Sequence, residues 1–210
     1  MKSRFWIGSM VAVLALGAGA ASGWATTYYV NDATNDANDV YCSAVGANTN
    51  DGLSRWTPLR EVSEVVARYA LGGGATIYVD TGVYANQISL RAGDGGSSTN
   101  GHLTIQGSPN RLAGGTLIRR DGTGNGLDIQ GVKCLKVRDL RIEKAAKGVY
   151  MEWTLAANSR IHFERVVCIS NAVGFEMGNV SLMVMDSCVA AWNTVCGVRL
   201  SHLFTGTAWR

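Results

Sequence analysis

The chain has 210 residues, 47% of them hydrophobic, with 26 glycines but only 2 prolines. That is a globular composition with many tight backbone positions, and it excludes a disordered chain. The formal charge of +3 falls to +1 once Lys2 and Arg4 are removed with the N-terminal segment discussed next, a balance that leaves no electrostatic footprint for nucleic acid.

Residues 1–25 read as an export signal: Lys2 and Arg4, an apolar run from Phe5 to Ala21, then "SGWA" before "TTYYV". Cleavage is expected after Ala25, with Ala20 as the alternative. A membrane anchor is the competing reading, but the run is shorter than the ~20 residues a bilayer span needs. The mature protein is therefore expected to be secreted or periplasmic, without a membrane span, and a monomer. Five cysteines, Cys42, Cys134, Cys168, Cys188 and Cys196, have no short paired spacing, so they read as small buried hydrophobes rather than as a disulfide framework or zinc site.

Residues 26–74 form an N-terminal strand, loop and capping helix in this reading. The loop "NDATNDAND" with "NTNDG" offers many oxygens, but its spacing matches no EF-hand and it reads as a solvated loop. "TPLREVSEVVARYALGGG" reads as an amphipathic helix, with Thr57 as N-cap, Pro58 as first residue, Leu59, Val62 and Val66 as apolar stripe and Gly72 as stop. The first coil of a solenoid exposes a core and unpaired strand groups, and this helix with "TYYVND" would cover them.

From residue 75 onward strand phrases follow one another: "ATIYVDTGVY", "NQISL", "HLTIQG" and "TLIRRDGTGNG". The last of these, Asp121 to Gly126, lacks the lysine and helix of a phosphate loop and reads as a turn. A repeat then emerges at Gly126, Gly148, Gly174 and Gly197, where each glycine opens an alternating run: Leu127 and Ile129, Val149 and Met151, Phe175 and Met177, Val198 and Leu200. A second alternating run pairs Leu135 and Val137 with Ile161 and Phe163, then with Leu182 and Val184. Asn171 and Asn193 sit just before their glycines, where the side chain would satisfy backbone groups in a turn.

A period in the low twenties built only of strands predicts an all-β chain folded as a parallel β-helix over residues 75–210. Propeller blades are longer, and the leucine scaffold of a leucine-rich repeat is absent. Outward positions then stack from coil to coil about 4.8 Å apart. Asp128, Tyr150, Glu176 and Arg199 form one such column, with Glu152 beside it, and this is the candidate sugar-binding groove. A uronate lyase needs a cation to neutralise the sugar carboxylate and a base for the adjacent C–H proton. Arg199 and Tyr150 suit these roles, with Glu152 and Glu176 able to hold a Ca²⁺. Asp128 and Glu176 could instead be the paired carboxyl groups of a hydrolase. An ion-pair column with no catalytic role is the plain alternative. A second column, Asp139, Arg165 and Asp186, reads as a salt-bridge ladder. His102, His162 and His202 share no repeat column, and Trp153 and Trp192 either stack on sugar rings or pack under turns.

The order "YYVND…NDGLS…TPL", amphipathic helix, "GGGATIYVDTGVY", "ISL", "HLTIQG" and repeating coils resembles the N-terminal half of secreted right-handed parallel β-helix proteins of the pectate-lyase-like superfamily. It is most similar to the chondroitinase B and alginate lyase group, whose Asp-Gly-x-Tyr strand matches Asp80 to Tyr84, with Thr81 inserted, and whose "Pro-Ile-Thr-Ile" strand matches Leu103 to Ile105. The resemblance implies a right-handed helix and an exported, lyase-like protein that engages acidic polysaccharide. In that group the Ca²⁺-binding acids and basic catalytic residues lie in coils beyond the matched stretch, so none is carried over. The chain stops at Arg210 inside the coil that opens at Gly197, which reads as an incomplete β-helix. The same opening serves hydrolases and non-enzymatic surface proteins, so a glycoside hydrolase or an adhesin-like rod stays open.

Overall fold

The structure is a computed structural model that describes residues 26–152, 158–201 and 208–209. Residues 1–25, read above as an export signal, and Trp153 and His202 lie outside the described residues. The short alternating runs form strands, and three strands make one coil. The coils are β2 (Thr76–Val79), β3 (Gly82–Tyr84) and β4 (Ile88–Leu90); β5 (Leu103–Gly107), β6 (Thr116–Arg119) and β7 (Asn125–Ile129); β8 (Lys133–Arg138), β9 (Leu140–Glu143) and β10 (Lys147–Met151). Next come β11 (Asn158–Glu164), β12 (Val167–Ile169) and β13 (Val173–Gly178), then β14 (Val180–Asp186), β15 (Val189–Ala191) and β16 (Cys196–Ser201). Strands in the same position of each coil pair in parallel and build three sheets. Sheet 1 runs β1 (Thr27–Val30), β2, β5, β8, β11, β14 and β17 (Ala208–Trp209); sheet 2 runs β3, β6, β9, β12, β15; sheet 3 runs β4, β7, β10, β13, β16. This is the expected parallel β-helix.

Alternation puts every second side chain inside, and the parallel register stacks like on like. On sheet 3, Ile88, Leu127, Val149, Phe175 and Val198 are successive partners, as are Leu90, Ile129, Met151, Met177 and Leu200. Every member through Phe175 and Met177 is essentially buried, and each such side chain contributes roughly 1.5–3 kcal/mol relative to exposure. Val198 and Leu200 remain 41% and 49% exposed, because among the described residues no strand of sheet 3 lies above them.

The repeating glycines mark a point of close approach. A Cβ on Gly148 would lie 2.6 Å from the Gly174 carbonyl oxygen, and one on Gly174 would lie 2.4 Å from that of Gly197. No larger residue fits without moving the coil above.

Corners are turned by non-glycine residues in the left-handed region. Asp139, Arg165 and Ser187 (φ 54, 55 and 54°) separate sheet 1 from sheet 2, and Lys144, Ser170 and Trp192 (φ 54, 56 and 54°) follow sheet 2. One such residue bends the strand while its N–H still bonds the next coil, as Arg165 N does to Asp186 O at 2.8 Å.

The two predicted turn asparagines form a ladder. Asn171, 1% exposed, accepts from Ala145 N (2.9 Å) and donates to Ile142 O (3.1 Å) in the coil below. Asn193 repeats the pattern on Asn171 N (3.0 Å) and Cys168 O (3.1 Å).

The cap is built as expected in outline. β1 covers the first edge of sheet 1, and helix α1 (Val62–Arg68) packs against β4. Buried Asp80 stitches the loop down by accepting the N–H groups of Val40, Tyr41 and Cys42 at 2.6–2.8 Å. The same loop spends its own carboxylates on turns, such as Asp32 on Thr34 and Asp36 on Asn38. All five cysteines are unpaired, and Cys42, Cys134 and Cys168 are buried.

Three expectations need correction. The helix starts at Val62, not at Pro58, because Leu59 is extended and exchanges backbone hydrogen bonds with Tyr29 and Asn31 at 2.9 Å each; Val62 and Val65 are its buried face. In β14 the inward residues are Met183 and Met185, paired with Ile161 and Phe163, rather than Leu182 and Val184. Leu182 takes φ 56°, which shifts the alternation by one residue and turns its side chain to solvent, 51% exposed. Asp186 does not extend the Asp139–Arg165 pair: it is the partner of Glu164, and Ser187 occupies the corner position above Arg165.

Candidate functional site on the outer faces of the coils

The predicted column stands in register on sheet 3. Asp128 pairs with Tyr150, Tyr150 with Glu176 and Glu176 with Arg199, so residues more than twenty places apart become lateral neighbours. Their position follows from the inward neighbours: Leu127, Ile129, Val149 and Met151 fill the core, and the residues between them face outward.

Charge organises the column. Glu176 accepts from Lys147 Nζ at 2.9 Å and from Arg199 Nη1 at 3.0 Å. The Lys147 ammonium lies 3.8 Å from the Tyr150 ring centroid, a cation–π contact. Asp128 accepts from Gln87 (3.2 Å), Arg91 (3.4 Å) and Gln130 (3.1 Å). Burial first, and then the nearby charges of Glu152, Glu176 and Asp128, push the Tyr150 phenol above its ordinary value. At neutral pH it stays protonated and is a proton donor rather than a base.

A Ca²⁺ held by Glu152 and Glu176 would have to displace Lys147 and Arg199 from Glu176. Both Glu176 oxygens and both Asp128 oxygens already accept from side chains, and among the described residues no three acidic, His or Cys side chains cluster to hold a metal.

Two groupings escape the repeat pattern. On sheet 1, Lys136 lies opposite His162 and pairs with Glu164 at 3.1 Å; Arg138 donates to the same carboxylate at 3.1 Å. His102 and His162 share the Lys136 field. Burial and then Lys136 lower both imidazoles, which are further lowered by Arg160 and by His102 respectively, although Glu164 and Asp186 oppose the shift at His162. His162 Nε2 is enclosed and, among the described residues, has no hydrogen-bond partner. His102 precedes β5 and His162 lies inside β11, so the two share no register column, and Lys136 is the charge felt by both.

On sheet 2, a hollow of about 320 Å³ opens between the 108–115 loop and the strands. Arg165 clamps Asp139 there through two bonds of 2.7 Å, the expected ion pair. Burial alone would raise the Asp139 carboxyl, but hydrogen bonds from Arg165, Gln106 and Arg111 outweigh it and hold it at about 2. Trp192, at the rim, is 79% exposed and is not packed under a turn.

No described helix is long and apolar enough to cross a membrane. No protein-family profile matches the chain, and no curated protein matches it. Among solved structures it is similar to a rhamnogalacturonan lyase, at 14% identity and a TM-score of 0.40 over 88% of this chain. The chain spans 62% of the length of that lyase chain.

Proposed function

We propose that the protein is exported through its first 25 residues and engages an acidic polysaccharide along the outer face of sheet 3. The observation that carries this reading is the register stack of Asp128, Tyr150, Glu176 and Arg199, which sets a phenol between carboxylates and cations on one continuous strip. A sugar carboxylate would exchange with Glu176 for Arg199 and Lys147, Asp128 and Glu152 would accept sugar hydroxyls, and the Tyr150 ring would offer an apolar platform. If the site is catalytic, Tyr150 and Arg199 carry the chemistry of an elimination. Arg199 then stabilises the sugar carboxylate, the Glu176 carboxylate it has released takes the C–H proton as the C–O bond breaks, and the Tyr150 hydroxyl gives a proton to the departing sugar oxygen.

One observation favours a second reading. Elimination needs a proton acceptor at neutral pH, and His162, whose imidazole is kept neutral by burial and Lys136, also suits that role once a side-chain rotation frees its enclosed Nε2. In this reading the chain is threaded over sheet 1, and sheet 3 only binds.

Incubation of the secreted protein with alginate, polygalacturonate and chondroitin separates the alternatives. Ultraviolet-absorbing unsaturated ends mean elimination. New reducing ends without that absorbance mean hydrolysis, for which Asp128 and Glu176, two coil rises of about 4.8 Å apart, sit near the upper limit of an inverting pair. Binding with neither product means a carbohydrate-binding rod, and absence of binding to all three defeats the proposal.

A further inference from the structure

We propose that the hollow on sheet 2 is a second carbohydrate site, which takes one uronic-acid unit by its carboxylate and by the apolar face of its ring. Its charged lining comprises Arg111, Arg141, Arg165 and Asp139, so three guanidiniums and one carboxylate face the hollow, while Glu143 and Glu164 balance the other charges from outside the lining. Arg165 is spent on Asp139 and Glu164. The other two arginines keep donors to spare. Arg111 gives Asp139 a single N–H at 3.1 Å with its side chain 57% exposed, and a guanidinium has five donors. Arg141 pairs with Glu143, and its Nε is enclosed and has no hydrogen-bond partner among the described residues. A buried guanidinium donor without an acceptor costs free energy, and a carboxylate that draws the half-exposed Arg141 side chain outward would remove that cost.

The rest of the hollow suits the flat side of a sugar. Val167 and Ile169 give it an aliphatic floor and Trp192 stands at its edge. Trp192 is held at φ 54°, a conformation unfavourable for a bulky residue, and in that pose its indole projects into solvent at 79% exposure. The left-handed corner conformation is shared with Lys144 and Ser170, and what sets this corner apart is an exposed aromatic ring beside guanidiniums with donors to spare, the pattern of a binding surface. At about 320 Å³ the hollow is at the small end of ligand pockets, which run roughly 300–1,000 Å³, and so takes one or two rings rather than a long chain segment.

The site is independent of the sheet 3 strip: it uses no residue of that strip and lies on another face of the coil. Calorimetric titration with digalacturonate, and with galactobiose as the neutral counterpart, tests it. The wild-type protein is expected to bind digalacturonate at two sites and galactobiose at least tenfold more weakly. Trp192→Ala combined with Arg111→Gln removes one of the two sites, and Arg141→Gln weakens that site at least fivefold. These side chains are exposed or half-buried, and unchanged thermal melting confirms that the variants fold. In an Arg199→Ala protein the sheet 2 site persists, so loss of the sheet 3 site alone leaves this inference standing. Unaltered binding in the Trp192→Ala, Arg111→Gln protein overturns it, as does equal affinity for the neutral disaccharide.

Discussion

Asn193 accepts the N–H of Asn171 at 3.0 Å from twenty-two residues further along the chain, and Asn171 does the same for Ala145 at 2.9 Å. Each side chain thus satisfies a buried backbone donor that the corner between sheets 2 and 3 would leave unpaired. In an Asn171→Ala protein, Ala145 N and Ile142 O lose their partners in the interior. Each buried orphan costs about 1–3 kcal/mol, so a urea titration should show a midpoint clearly below wild type. Asn193→Ala, in the last described coil and half-buried, should cost less.

Gly174 tests the close stacking of coils. A Cβ there would meet Gly197 O at 2.4 Å and Asn193 Nδ2 at 2.8 Å, and overpacking of this kind costs roughly 1–3 kcal/mol. Gly174→Ala should lower the melting temperature, whereas Gly72→Ala, where a Cβ meets nothing within 4 Å, should leave it within error of wild type.

Lys144 should respond in the opposite direction. It is exposed and sits at φ 54°, a conformation that disfavours L-residues by about 1–2 kcal/mol. Glycine is free of that penalty but loses part of the gain to its larger unfolded-state entropy. Lys144→Gly is expected to stabilise the protein by about 0.5 kcal/mol in the same urea titration.

The charge cluster around Arg165 predicts an acid limb of stability. Burial pulls against ionisation at both carboxylates, but hydrogen bonds win: Asp139 falls from 3.8 to about 2 through Arg165, Gln106 and Arg111, and Glu164 from 4.5 to about 2 through Lys136, Arg165 and Arg138. A carboxyl depressed on folding adds stability above its unfolded value and loses it as the pH falls through its folded value. Unfolding free energy should therefore be level near neutrality and drop between pH 4.5 and 2. Arg165→Met should flatten that limb, because both carboxylates lose a partner.

The repeat was legible because its inward side chains are large, apolar and alternating, and because Gly126, Gly148 and Gly174 cannot be replaced where coils touch. The corners were not. Asp139, Lys144, Ser170 and Trp192 adopt left-handed conformations without being glycine, so nothing in their identity announces a bend. The same blindness produced the one-residue slip at Leu182, where a hidden left-handed residue reverses which side chains face inward. Thr57 and Pro58 imitate a helix entry, while the edge of sheet 1 claims Leu59 and delays the helix to Val62. The sheet 3 column could be read from the glycine spacing alone. The shared Lys136 field of His102 and His162 and the hollow beside Trp192 depend on where corners and loops fall.

The most direct measurement is the affinity of digalacturonate for the sheet 3 strip, taken in the Trp192→Ala, Arg111→Gln background so that only this strip reports. Replacing Arg199, which is exposed and held by Glu176 at 3.0 Å, with Ala should weaken binding at least tenfold and reduce its salt dependence, with the melting temperature nearly unchanged. Equal affinity with and without the Arg199 guanidinium, at matched ionic strength, would contradict the proposal that this column receives the acidic sugar.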